Sequence, residues 1–375
     1  MKKLKTIDLF SGIGGTSLGL RDFMQVIVYC EKDEACVEIL KANMQRGFLD
    51  EAPIVRDVTK FPKDLGTVDS LVASFPCTSL SVIGKKDGFE GESGLFLNMM
   101  DVIKYYKPAI CFFENVEHIQ HMTAEWHTIL TLMDKNGYDC RWCIISASNA
   151  GAHHRRKRWF LLGSRRGTQL KLSIPGAVML RLDEPWNCNG YRFRRNPDGK
   201  AWEPALPRLV KRGNRKLMRM CGNICVPLQA LLAFVLLWCH ESFFISVREA
   251  RFGAVMPSSG FCSKGRLYEA DHMALSEPRK IDLSFRQEYY KGPANVANLQ
   301  RHPTLKHEVM RKFFVTPRAS NASYYPSSVM TKRSITDLGT ELRFEKHTKK
   351  SERKFRHANP EWVGWLVGLP RNYLQ

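Results

Sequence analysis

The chain has 375 residues, 44% of them hydrophobic and 11% aromatic, with a formal net charge of +20. This composition buries a large core, suggests two lobes and excludes disordered and fibrous classes. The longest apolar run, Val226 to Cys239, is interrupted by Pro227 and Gln229; it is too short for a membrane span and reads as a buried helix.

In chain order, Thr6 to Phe10 reads as a short buried strand, broken by the turn Ser11-Gly12-Ile13-Gly14-Gly15 and followed by a helical pattern from about Thr16 to Met24. Glycines in such a turn let backbone approach a ligand closely, and amides at a helix start favour polar or anionic groups. A second strand, Val26 to Cys30, ends at Glu31, about 20 positions beyond the glycine turn, where nucleotide-binding folds hold ribose hydroxyls. A third ends at Val55-Arg56-Asp57-Val58 and offers a carboxylate to an exocyclic amine such as that of adenine. Ser74-Phe75-Pro76-Cys77-Thr78 then follows an apolar strand, and Ala109 to Phe113 is an apolar strand leading to Glu114. Three strand ends thus point acids or glycines at one crevice, with a thiol nearby.

Eleven cysteines, an odd number and without a signal peptide, suit a reduced cytoplasm better than a disulfide framework. Cys140-Arg141-Trp142-Cys143 has CxxC spacing but reads as a strand, and no second pair stands at zinc-like spacing. No metal is assigned. Cys77 differs from the others because it follows Pro76 at a strand end, among loop residues.

These segments together resemble the C5-cytosine DNA methyltransferases. Phe10-Ser11-Gly12-Ile13-Gly14-Gly15 is similar to the family's Phe-x-Gly-x-Gly-Gly turn, Pro76-Cys77-Thr78 to its Pro-Cys-Gln, and Glu114-Asn115-Val116 to its Glu-Asn-Val. His154-Arg155-Arg156-Lys157-Arg158 stands for Gln-x-Arg-x-Arg, with His replacing Gln, and Gly222 to Pro227 for Gly-Asn-x-x-Val-Pro. The resemblance implies an α/β, Rossmann-like S-adenosylmethionine-dependent methyltransferase core, with a smaller, irregular, basic DNA-recognition region. It assigns cofactor binding to Phe10, Gly12, Gly14, Gly15, Glu31, Asp57, Val58, Pro76 and Asn223. It assigns catalysis to Cys77, Glu114 and Arg158, with Arg156 helping to hold the phosphate backbone. The expected substrate is cytosine in double-stranded DNA, and the expected enzyme is a monomer in the cytoplasm of a bacterium or of a phage or virus host. A transfer-RNA methyltransferase of the same family is the alternative, although its Cys-Phe-Thr segment is absent here; a catalytically inactive DNA-binding homologue is the other.

The organisation expected is a catalytic core over 1–163, a basic loop-rich insert over 164–215, a core-completing segment and helix over 216–240, and a C-terminal recognition region over 241–375. Charge follows that division. Residues 1–163 hold 20 Lys+Arg and 20 Asp+Glu, whereas 164–215 carry net +8 and 240–375 net +10, so the excess lies where DNA would be gripped outside the pocket. Asn359-Pro360-Glu361-Trp362 through Gly368-Leu369-Pro370 resembles a segment that the family places before Gly-Asn-x-x-Val-Pro, and here it comes after. The motif order is rearranged.

Cytosine C5 is a poor nucleophile, so a thiolate must first add to C6. Cys77→Ser is therefore expected to abolish turnover, since a hydroxyl without a strong adjacent base is far less nucleophilic than a thiolate. Cofactor titration should be unchanged in that variant, and methylation above about one per cent of wild type would count against Cys77 as the nucleophile.

Overall fold

The computed structural model describes residues 2–76, 94–150, 152, 154, 156–168, 170, 172–174, 178, 193–195, 201–204, 206–207, 209–238, 244–249, 256–264, 266–272 and 357–375. The chain begins with β1 (Leu4–Leu9), α1 (Gly15–Leu20), β2 (Met24–Cys30), α2 (Glu34–Gln45), β3 (Ile54–Val55), β4 (Ser70–Ala73), α3 (Gly94–Tyr106) and β5 (Ile110–Val116). It continues through α4 (Thr123–Lys135), β6 (Tyr138–Ser146), β7 (Lys157–Arg165), β8 (Phe193–Arg195), β9 (Ala201–Pro204), β10 (Leu209–Val210), α5 (Arg215–Asn223) and α6 (Pro227–Trp238). The last elements are β11 (Phe244–Glu249), β12 (Ser259–Ser263), β13 (Arg266–His272), β14 (His357–Ala358) and α7 (Pro360–Leu366).

Ten strands form one sheet in the order β11-β13-β12-β6-β7-β5-β4-β1-β2-β3. The half from β3 to β5 is parallel, and β7 enters antiparallel to β5. The strand order reverses at β1, which lies between the parallel strands β2 and β4, and in such sheets the ligand-facing loops stand at the carboxyl ends beside that switch point. α1 is shorter than the periodicity predicts: it stops at Leu20, Phe23 closes a turn back onto Leu20, and β2 already begins at Met24.

Strand alternation fixes which side chains share a face. In β5, Ile110 and Phe112 enter one core with Phe160 and Leu162 of β7, while Cys111 and Phe113 enter the other with Trp159 and Leu161. The first core is covered by α1, α2, α5, α6 and α7, the second by α3 and α4. The CxxC pair lies in β6 with its two buried thiols in opposite cores, as residues three apart on a strand must be. All eight cysteines among the described residues are free and seven are buried. Burial pushes Cys30 and Cys36 up to about 12, so they remain protonated, inert thiols.

α5 and α6 run on as an apolar stretch from Arg215 to Trp238, long enough by length and composition to cross a membrane, but 89% of its most apolar part is buried inside the protein. Burial, rather than shortness, identifies it as a core helix.

The expected division at residue 241 needs correction. β12 pairs with β6, Cys262 opposite Cys140, so β11–β13 extend the central sheet. Residues 357–375 belong to the first core: Trp362 and Trp365 are fully buried, and β14 pairs with β10, Val210 opposite His357. A recognition region confined to the C-terminal part can therefore only stand between anchored segments, with 273–356 outside the described residues. A chain ending at residue 356 is expected to be insoluble or non-cooperative in folding, because each buried tryptophan alone stands for about 3–5 kcal/mol. Gel filtration and thermal unfolding check this; a soluble, cooperatively folded truncate would show that the tail is dispensable.

Candidate active site

The glycine turn is shaped by residues on four elements. Phe10 has φ 56° and Gly12 φ 56°, both left-handed. A Cβ on Gly12 would meet nothing within 4 Å, which leaves the turn open to an approaching ligand. Gly15 serves differently, because a Cβ there would lie 2.3 Å from the carbonyl oxygen of Cys225. α1 thus packs directly on the segment Gly222 to Pro227.

Glu31, at the end of β2, accepts from the Gly12 amide through Oε2 at 2.7 Å and from the Asp33 amide through Oε1 at 2.7 Å. Burial raises its pKa, opposed by these hydrogen bonds. Asp57 is exposed and accepts from the amide and hydroxyl of Thr59, which hold its carboxyl below the usual range. Val58 beside it is buried. Asn223, the last residue of α5, is exposed. Gly12, Glu31, Asp57 and Asn223 are thus carried on strand and helix ends rather than on long loops.

Cys77 and Thr78 lie outside the described residues, but the approach to Cys77 is anchored twice. Asn115 Nδ2 donates to the carbonyl of Phe75 at 3.1 Å, and the hydroxyls of Thr16 and Ser74 lie 3.0 Å apart. Pro76, next in the chain, is exposed. The start of α1, the strand end ahead of Cys77 and the Glu-Asn-Val strand are therefore tied to one another by their own polar side chains.

Register places the acid and the arginine together. Val116 of β5 stands opposite Arg158 of β7, and Glu114 opposite Phe160, so Glu114 and Arg158 are diagonal neighbours on one face. Arg158 Nε lies 2.9 Å from Glu114 Oε1, with only 14% and 7% of the two side chains exposed.

Arg156 departs from its expected role. It is buried, and its guanidinium donates to the carbonyls of Gly222 at 2.9 Å and Ile224 at 2.5 Å. Burial and the neighbouring Arg158 pull its pKa down to about 9, with Glu114 opposing, so it stays a cation at neutral pH. A guanidinium enclosed in this way is not presented to a DNA phosphate; it clamps backbone. His154, where the resemblance places Gln, is also buried, and its Nε2 meets the carbonyl of Leu366 in α7 at 3.0 Å.

Two further residues gain a role in three dimensions. Gln229, fully buried within the apolar run, donates from Nε2 to the carbonyls of Ile145 and Arg156; a lone amide inside an apolar helix was its sequence signal. Asp8, at the end of β1, accepts from the Ser17 hydroxyl of α1. Burial pushes its pKa up to about 7, with Glu31 adding and Ser17 and Ser11 opposing.

The folded protein therefore keeps the Asp8 proton to near neutrality, whereas the unfolded chain releases it near 3.8. With more protons bound in the folded state, the Asp8 contribution to stability falls as pH rises from about 4 to about 7. Asp8→Asn is expected to remove that fall, which between pH 5 and pH 8 amounts to about 3 kcal/mol, two pH units at 1.36 kcal/mol each. Urea unfolding of both proteins at pH 5 and pH 8 measures it; equal pH slopes would rule it out.

A family model described as C-5 cytosine-specific DNA methylase matches residues 4–189. The type II methyltransferase M.CviJI of Paramecium bursaria Chlorella virus IL3A is 30% identical over 382 residues, covering 99% of this chain and 97% of the relative. M1.ScrFI of Lactococcus lactis subsp. cremoris is 34% identical over 167 residues, or 43% of this chain and 41% of the relative. M.NlaIV of Neisseria lactamica is 34% identical over 182 residues, or 44% and 42%. The last two thus match less than half of each chain, whereas the viral relative follows this chain nearly end to end. With the glycine turn, the tethered strand end ahead of Cys77 and the paired acid and arginine described, the chain belongs to the C-5 cytosine-specific DNA methylases, which methylate DNA cytosine with S-adenosylmethionine.

Proposed function

We propose that the chain methylates C5 of cytosine within specific sequences of double-stranded DNA, acting on a base flipped out of the stack through a covalent bond between Cys77 and C6. The observation that carries this reading is the largely buried pair of Glu114 and Arg158 on β5 and β7, with β5 lying beside β4 and its side chain Asn115 anchoring the approach to Cys77.

The residues present suit S-adenosylmethionine. Gly12 leaves room above its turn, Glu31 offers carboxylate oxygens to ribose hydroxyls beside the Gly12 amide, and Asp57 offers a carboxylate to the adenine amine. Phe10, Gly14, Gly15, Val58, Pro76 and Asn223 complete the site. When bound, the cofactor supplies an electrophilic methyl group.

The ring carbons are inaccessible inside a duplex, so the base must leave the stack, at a few kcal/mol of unstacking. Cys77 as thiolate forms its bond to C6 and moves the ring electrons toward C5 and N3. Glu114 donates a proton to N3, where negative charge develops, and the Arg158 guanidinium stabilises the same charge at O2. C5, made nucleophilic in this way, would take the methyl group that bound S-adenosylmethionine supplies; loss of the C5 proton to a base, elimination of the Cys77 sulfur and return of the N3 proton to Glu114 then restore the aromatic ring and the free enzyme. The excess positive charge of 164–215 and 240–375 suits the DNA backbone outside the pocket.

Glu114→Gln is expected to leave duplex binding nearly intact while slowing the chemical step about 10²-fold or more, as loss of a general acid does. Single-turnover transfer of labelled methyl groups to duplex DNA, with transfer RNA in parallel, measures both the rate and the substrate. An unchanged rate would leave Glu114 as only a buried partner of Arg158, and preferential labelling of transfer RNA would replace the duplex reading.

A further inference from the structure

The end of the chain returns to the turn at its beginning. Tyr373 is buried, and its hydroxyl donates to the carbonyl of Ile13 at 2.6 Å. Ile13 lies between Gly12 and Gly14, both left-handed, at φ 56° and 83°. The tail bearing Tyr373 is itself fixed. Asn43 Nδ2 donates to the Tyr373 carbonyl at 3.0 Å, Arg46 donates to the carbonyls of Asn372 at 3.0 Å and Gln375 at 2.7 Å, and the ring of Phe48 lies 5.6 Å from that of Tyr373.

We infer that Tyr373 is a positioning residue for methyl transfer: from behind, it holds the Gly12 to Gly15 turn in the shape that receives S-adenosylmethionine. The inference rests on the reading of that turn as the cofactor site. A glycine-rich turn loses more conformational freedom on ordering than any other backbone. Ordering it in the free protein lowers what must be lost when the ligand arrives, which appears as affinity. The hydroxyl stands close against the turn, since a Cβ on Gly14 would lie 3.1 Å from it. With the hydroxyl removed, the Ile13 carbonyl loses this donor and the turn is free to sample other shapes. Tyr373 approaches the turn from the core side, through Ile13, so its effect falls on cofactor affinity rather than on the reacting atoms.

Tyr373→Phe keeps the ring against Phe48 and deletes only the hydroxyl. In the full-length chain, calorimetric titration with S-adenosylmethionine is expected to show Kd raised about fivefold, the equivalent of one net hydrogen bond. At saturating cofactor, kcat and the KM for DNA should change by less than about twofold. In the cofactor-free protein, amide exchange at Ile13 to Gly15 should quicken while that of β5 stays unchanged. A merely structural role would instead lower Tm and depress every kinetic constant together, and that outcome, or an unchanged Kd with unchanged exchange, overturns the inference. Should Tyr373→Phe prove insoluble, Arg46→Ala loosens the same tail from its exposed end: a raised Kd with intact kcat supports the inference and an unchanged Kd overturns it. Gly12→Val separates the two levels. If it leaves Kd unaltered, the turn is not the cofactor site and the underlying reading fails; if it weakens binding while Tyr373→Phe does not, only the role of Tyr373 falls.

Discussion

The enclosed guanidinium of Arg156 is the contact on which the arrangement of the site depends. A buried cation must be met by acceptors, and hydrogen bonds to a charged group are worth about 1.5–3 kcal/mol each. Here the acceptors are the backbone carbonyls of Gly222 and Ile224, so the junction between α5 and α6 is pinned to the start of β7. Gln229 adds a second tie, from α6 to the carbonyls of Arg156 and Ile145. Because Gly15 then rests on the Cys225 carbonyl, the glycine turn, the arginine strand and the Gly-Asn-x-x-Val-Pro segment become one body. Arg158, two residues on and on the same face, inherits a fixed backbone from which to reach Glu114.

The segment over 359–370, which the resemblance expects ahead of Gly-Asn-x-x-Val-Pro, reaches the same core from late in the chain. Contacts between segments depend on where they dock, and a longer connection adds only slowly to the entropy of closing it. Residues 359–370 come late in the chain, yet α7 packs on α5, the Leu366 carbonyl meets His154, and Asn359 caps α7 while donating to the Pro207 carbonyl. His154 stands where the resemblance places Gln, and in this chain it contacts the displaced segment itself.

Local chemistry made part of this legible in sequence. The glycine turn, the apolar strand ahead of Glu114 and the buried helix from Pro227 were readable because turn residues and periodicity are local signals. The pairing of Glu114 with Arg158 was legible only as motif membership; the diagonal geometry comes from a β5–β7 register that no local pattern states. The role of Arg156 was misread, because an arginine in a basic motif resembles a phosphate ligand until its burial is known. Tyr373 carries no local signal, since its partner Ile13 lies at the opposite end of the chain. The division at 241 failed for the same reason: strand pairing of Cys262 with Cys140 is a long-range fact.

The Glu114–Arg158 pair sets a constraint on the substrate that follows from its burial. A carboxyl and a guanidinium exposed by only 7% and 14% are costly to leave without partners, so a base that enters must meet both, and on the proposed role Glu114 meets it as a proton donor rather than as the carboxylate that faces Arg158. Cytosine presents N3 and O2 side by side, both acceptors, and on the proposed roles Glu114 donates to the first and Arg158 to the second. Thymine keeps the O2 acceptor but carries a hydrogen on N3, which meets the Glu114 proton donor to donor and leaves a buried group unsatisfied. The discrimination then comes from an unmet hydrogen bond rather than from shape, a kind of selection that a hydrophobic pocket cannot match. On the proposed roles, the pair that braces β5 against β7 is also the element through which cytosine is chosen over thymine.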